Sequence, residues 1–157
     1  MAIVMHPQLD KKIDLLKTLK MILIHDLVEI NYKDNPAHKK QPADKVLQER
    51  QSLAKLIKSL PANTRDEIKK LWEEYEAAKS AEALFAKSID KTEVLLQHNE
   101  ANIKFLHPKE VPLYFHYGKE FSQHDRFLKN FREAIEKETL KHLKKNKVDK
   151  KLYQNYI

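Results

Sequence analysis

The chain has 157 residues, with 30 Lys and Arg against 23 Asp and Glu for a formal net charge of +7, and it contains one glycine and no cysteine. A single glycine cannot furnish the turns of a β-sandwich or barrel, or the phosphate-cradling loop of a nucleotide fold. The absence of cysteine excludes disulfides, thiolate metal sites and iron–sulfur clusters. The positive field favours anionic partners without choosing among them, and no apolar run approaches the roughly 20 residues that a membrane-spanning helix needs.

Taken in order, Met1 to Met5 is an apolar stretch cut off at Pro7 and reads as the last turn of a helix. It is too short for a secretory signal and has no basic region before it, so the cytoplasm is the expected location. A first full helix is expected from about Lys11 to Ile30, with Leu15, Leu16, Leu19, Ile22, Leu23, Leu27 and Ile30 at helical spacing. Asn35-Pro36 ends any continuation, and the Lys-rich stretch to Pro42 reads as a surface loop. A second helix over about Asp44 to Leu60 turns Val46, Leu47, Leu53, Leu56, Ile57 and Leu60 toward a core and stops at Pro61.

Thr64 followed by Glu67 has the spacing of a capping box, and the helix it would open carries Ile68, Leu71, Trp72 and Tyr75. Ser80 is the expected cap of the next helix, about Ala81 to Leu106. Pro108, Pro112 and Gly118 mark turns, and Ser122 is the expected cap of a long last helix bearing Phe127, Leu128, Phe131, Ile135, Leu140 and Leu143. The pattern is that of one all-α domain over residues 1–145, followed by a basic tail over 146–157 that carries Lys147, Lys150 and Lys151. A solvated charged face explains that tail better than nucleic-acid binding, because few aromatics accompany the lysines.

The chemistry concentrates in Met21-Ile22-Leu23-Ile24-His25-Asp26-Leu27-Val28-Glu29-Ile30. A segment apolar nearly all round is expected to be buried on most sides, yet it holds three ionisable residues, and a buried charge needs a partner. A divalent cation suits His25 and Asp26 together. Glu29 follows His25 by four residues, on the same face of an α-helix, where its carboxylate could take a proton from an activated water. Asp90 lies on a small and largely apolar stripe with Ala83, Ala86, Val94 and Gln97, so a metal held by His25, Asp26 and Asp90 would satisfy both regions at once. The plainer alternative is that His25 hydrogen-bonds a backbone carbonyl and Asp90 pairs with a lysine. The second such dipeptide, His124-Asp125, stands at an expected helix start and reads as structural.

The segment Lys20 to Ile30, followed by Asp34-Asn35-Pro36, resembles the central motif of the HD-domain metal-dependent phosphohydrolases, and most nearly their 5′-deoxynucleotidase branch. Glu74-Tyr75-Glu76, Ser80-Ala81-Glu82-Ala83, Asp90-Lys91-Thr92-Glu93 and Leu96-Gln97 are similar to a second block of the same family, in the same order. The likeness covers about residues 1–106.

It implies a single HD-like helical bundle around one divalent metal (manganese, cobalt, nickel, iron, zinc or magnesium), with His25, Asp26 and Asp90 as ligands. It further implies that Glu29 positions or deprotonates the attacking water and that Asp34 lies near the substrate, with Lys33 standing where the family has a glycine. The implied reaction is hydrolysis of nucleoside 5′-monophosphates to nucleoside and phosphate, in a homodimer. The family has a further metal-binding histidine on an earlier helix, and the sole upstream histidine, His6, precedes Pro7. A shortened N-terminus is therefore expected to impair turnover, and a non-catalytic scaffold of the same fold is the alternative.

Overall fold

The computed structural model describes residues 1–30, 42–101 and 108–156, and every regular element among them is helical. The α-helices are α1 (Ala2–Met5), α2 (Leu15–Ile24), α3 (Lys45–Leu56), α4 (Ala62–Ala77), α5 (Ala81–Glu100), α6 (Leu113–His116) and α7 (Arg126–Lys145), joined by short 3-10 turns. The all-α expectation holds. No helix among the described residues is long and apolar enough to cross a membrane. The chain divides into two compact units, Ile13–Ala86 and Met1–Lys12 with Lys87–Ile157, and the boundary falls within α5. The Asn35-Pro36 break, most of the Lys-rich stretch and the expected helix end at Leu106 lie outside the described residues.

In the first unit α2 begins four residues later than the apolar spacing suggests. Asp14, in extended conformation, caps it by accepting the Lys17 N–H at 3.0 Å, and the Thr18 hydroxyl donates back to the Asp14 carbonyl at 2.9 Å. After Ile24 the chain tightens into a 3-10 turn over His25–Ile30. Met21, Leu71, Tyr75, Ala83 and Ala86 form one buried cluster, and Val28, Leu53, Ile57 and Trp72 form another. The Ser52 hydroxyl donates to the Val28 carbonyl at 2.7 Å, tying α3 to the 3-10 turn.

The capping box expected at Thr64 and Glu67 does not form. The helix starts at Ala62, directly after the fixed φ of Pro61, so Thr64 sits inside the first turn and Glu67 pairs with Lys20 instead. Ser80 does cap α5, accepting the Ala83 N–H at 3.2 Å.

In the second unit Leu95, Val111, Tyr114, Phe115, Ile135, Leu143 and Tyr153 share a buried core. Tyr153 belongs to the stretch beyond α7, which packs through Val148, Leu152 and Tyr153 rather than through its lysines. Ser122 is not the cap of α7. Asp125 takes that place, its Oδ1 accepting from the N–H groups of Phe127 at 2.9 Å and Leu128 at 3.2 Å, while its Oδ2 accepts from the Asp10 N–H at 2.8 Å. Ser122 is buried, its hydroxyl 3.0 Å from that of Ser88. The dipeptide His124-Asp125 is thus structural, with His124 Nδ1–H donating to the Phe121 carbonyl at 2.6 Å.

Helix α4 ends on Ala78 in the left-handed region, at φ 48° and ψ 44°. A side chain there costs about 1–2 kcal/mol, part of which glycine's larger unfolded-state freedom offsets. Ala78→Gly is therefore expected to stabilise the chain by about 0.5–1 kcal/mol, read as a higher denaturant midpoint. A lower midpoint would show that the αL site is relieved in some other way.

Candidate metal centre

His25 opens the 3-10 turn at the end of α2 and is nearly buried, its ring 4.9 Å from that of Tyr75 on α4. The Nδ1–H donates to the Ile22 carbonyl at 2.7 Å, since a carbonyl can only accept. That leaves Nε2, whose neighbour is Asp26 Oδ1 at 3.0 Å. Two lone-pair atoms at that separation repel unless a proton or a metal cation lies between them. A histidine that donates its other N–H to a backbone carbonyl is the usual partner of a metal, because that bond fixes tautomer and ring orientation. His25 and Asp26 therefore fit a divalent cation as a pair of ligands.

Two expectations for this segment are not met. Asp26 and Glu29 are exposed, as are Leu16, Leu23 and Ile30 at 65%, 76% and 66%. The segment is apolar all round without being buried all round, because its packing face runs through Thr18, Met21 and Val28. Burial thus supplies no demand for a partner at Asp26 or Glu29. The spacing argument for Glu29 also changes. In an α-helix residues four apart lie about 40° from one another around the axis. In a 3-10 turn they lie about 120° apart, and it is residue i+3 that eclipses residue i. Val28, 3% exposed, occupies that position relative to His25.

Asp34 lies outside the described residues, with Lys33 beside it. Asp90 belongs to the part of α5 in the second unit, where its Oδ2 is 2.7 Å from the Lys91 ammonium. Both contacts of the plainer alternative are therefore present, a carbonyl for His25 and a lysine for Asp90, yet each is also what an outer partner of a metal ligand does. Among the described residues, no three His, Cys, Asp or Glu side chains gather where they could hold a metal ion.

The features that sequence reasoning missed surround Asp90. Burial pulls the Lys91 ammonium down, but Asp90 and the Tyr117 hydroxyl together outweigh it and hold the lysine above its ordinary range. Arg132, fully buried on α7, is drawn below its ordinary value by that burial, partly offset by Glu136 at 2.9 Å. An arginine at a core position of a helix, four residues before a glutamate, was the available signal. In the first unit, a cavity of about 370 Å³ between α3 and α4 has Arg50, Arg65, Lys69 and Glu73 around Leu53 and Ile57, and none of the candidate site residues lines it.

The family model for the HD domain matches residues 1–148. The chain is 34% identical over 92 residues to a human 5′-deoxynucleotidase HDDC2, a match covering 58% of this chain and 45% of that protein. It is 38% identical over 91 residues to the Dictyostelium discoideum 5′-deoxynucleotidase HDDC2, covering 57% and 48% respectively. The chain thus spans about half the length of the curated relatives it matches. Among solved structures, a predicted metal-dependent phosphohydrolase from Magnetospirillum magnetotacticum aligns with a TM-score of 0.79 and 29% identity, over 90% of this chain and 72% of that one.

The bond to Ile22 makes a direct prediction. At alkaline pH, where imidazoles are neutral, long-range ¹H–¹⁵N NMR is expected to find His25 with its proton on Nδ1. A proton on Nε2 would contradict the ligand geometry.

Proposed function

This chain belongs to the HD domain family, and on that premise we propose that it is a metal-dependent phosphohydrolase that cleaves nucleoside 5′-monophosphates to nucleoside and phosphate. The observation that carries the proposal is the pinned imidazole, with Nδ1–H on the Ile22 carbonyl and Nε2 beside Asp26 Oδ1 at 3.0 Å. The family match and the 5′-deoxynucleotidase relatives support the reaction and the substrate class.

In this reading His25 and Asp26 would hold a divalent metal, with Asp90 as the further ligand that the family resemblance implies. When bound, the metal supplies Lewis acidity at a phosphoryl oxygen and makes water a stronger nucleophile near neutral pH. Glu29, an exposed carboxylate three residues beyond Asp26, would take the proton of the attacking water, and Asp34 would order water and substrate. The imidazole and carboxylate set admits manganese, cobalt, nickel, iron, zinc or magnesium.

The test is phosphate release from a panel of ribo- and deoxyribonucleoside 5′-monophosphates, with each divalent metal supplied in turn. The wild type is expected to release phosphate, chelation to abolish it, and Glu29→Gln to lower kcat by about 10²–10⁴-fold. Asp26→Ala is expected to fall to background. Equal release by wild type, Glu29→Gln and Asp26→Ala would end the proposal.

A further inference from the structure

The chain's one glycine stands where no other residue fits. Gly118 has φ +65°, and a Cβ built on it would run into Cβ and Cγ of Lys91, closer than real side chains approach. The Lys91 stem therefore lies against bare backbone, with its ammonium over the Tyr117 ring, 5.1 Å from the centroid, and 2.7 Å from Asp90 Oδ2. Neighbouring residues on an α-helix project in different directions and do not ordinarily face each other. A close contact between Asp90 and Lys91 requires the lysine to bend back, and the Tyr117-Gly118 turn is the surface that steers it.

That turn is itself held from behind. Arg132, with no exposed surface, donates from Nη1 to the Tyr117 carbonyl at 3.0 Å, from Nη2 to the Tyr114 carbonyl at 3.2 Å and from Nε to Glu136 at 2.9 Å. Glu136 also accepts from Lys119, on the other side of Gly118, at 2.8 Å. A guanidinium taken out of water is tolerated only when its N–H groups are used. Here they bind the backbone on which Lys91 rests.

We propose that Lys91 is a positioning residue for Asp90, seated by the Tyr117-Gly118 turn so that the Asp90 carboxylate meets a metal in one orientation. The inference rests on the reading of Asp90 as a ligand, given under the proposed function. A carboxylate already held by an outer partner has less freedom to lose on coordination, and such partners are typically worth 10–100-fold in metal affinity. A lysine that merely stood nearby would act in the opposite sense, because its positive charge would repel the cation.

The sign of the effect is therefore the test, read as Mn²⁺ affinity by titration calorimetry and EPR on the full chain, with thermal midpoints measured alongside. Lys91→Met keeps the stem and removes the charge. It is expected to weaken Mn²⁺ binding by about 10–100-fold with little change in midpoint. Gly118→Ala is expected to weaken binding similarly, and adding it to Lys91→Met to weaken binding no further, because both act through one contact. If Gly118→Ala does not fold, Lys91→Met decides alone. Unchanged or tighter binding by Lys91→Met, with binding lost in Asp90→Asn, overturns the positioning role and leaves the metal site standing. Binding by Asp90→Asn equal to that of the wild type removes Asp90 from the site and overturns both.

Discussion

The bond from His25 Nδ1–H to the Ile22 carbonyl, one turn back along α2, decides which side of the imidazole is left for chemistry. Because the carbonyl can only accept, the proton is committed to Nδ1 and the Nε2 side is turned to Asp26. The contact with Tyr75 keeps the ring from swinging away. A weakly held imidazole would have to lose rotamer freedom on meeting a cation, whereas this one has already lost it in folding. The rest of the proposed chemistry in the first unit is arranged around that fixed ring.

The change of helical period at His25 matters as much as the residue itself. An α-helix continued to Ile30 would stack Glu29 over His25, whereas the 3-10 turn puts the buried Val28 there and leaves Glu29 in solvent. The apolar content of the segment was legible in the sequence, and so was its junction of His, Asp and Glu. The change of period was not, because it follows from how Val28 packs with Leu53 and Trp72, and from the bond that Ser52 makes to the Val28 carbonyl. Those partners lie more than twenty residues away. Leu16, Leu23 and Ile30 show the converse limit, since hydrophobicity alone does not say which of several apolar stripes meets a neighbour.

Helix ends show a similar division. Ser80 reads correctly as a cap, while Thr64 and Ser122 do not, because Pro61 starts one helix earlier and Asp125 starts the other later. Each failure is local competition between two plausible starts. In the second unit the sequence marks Gly118 as a turn, but only the structure shows that the missing Cβ makes room for the stem of Lys91. Arg132 stands at a core position of its helix, but only the structure shows the carbonyls of Tyr114 and Tyr117 that its guanidinium binds. The ligand candidates were visible from residue type and order, as were a carbonyl for His25 and a lysine for Asp90; the Tyr75 ring and the Tyr117-Gly118 turn behind them were not, since they come from elsewhere in the chain.

The account stands or falls on a cation at His25. Crystals grown with Mn²⁺ and measured across the manganese absorption edge would locate it without reference to turnover. The account predicts an anomalous peak bonded to Nε2 of His25 and to the carboxylate of Asp26, with Nδ1 still on the Ile22 carbonyl. A fully occupied lattice with no anomalous density there, or a metal bound through Nδ1 with the Ile22 bond broken, would contradict it.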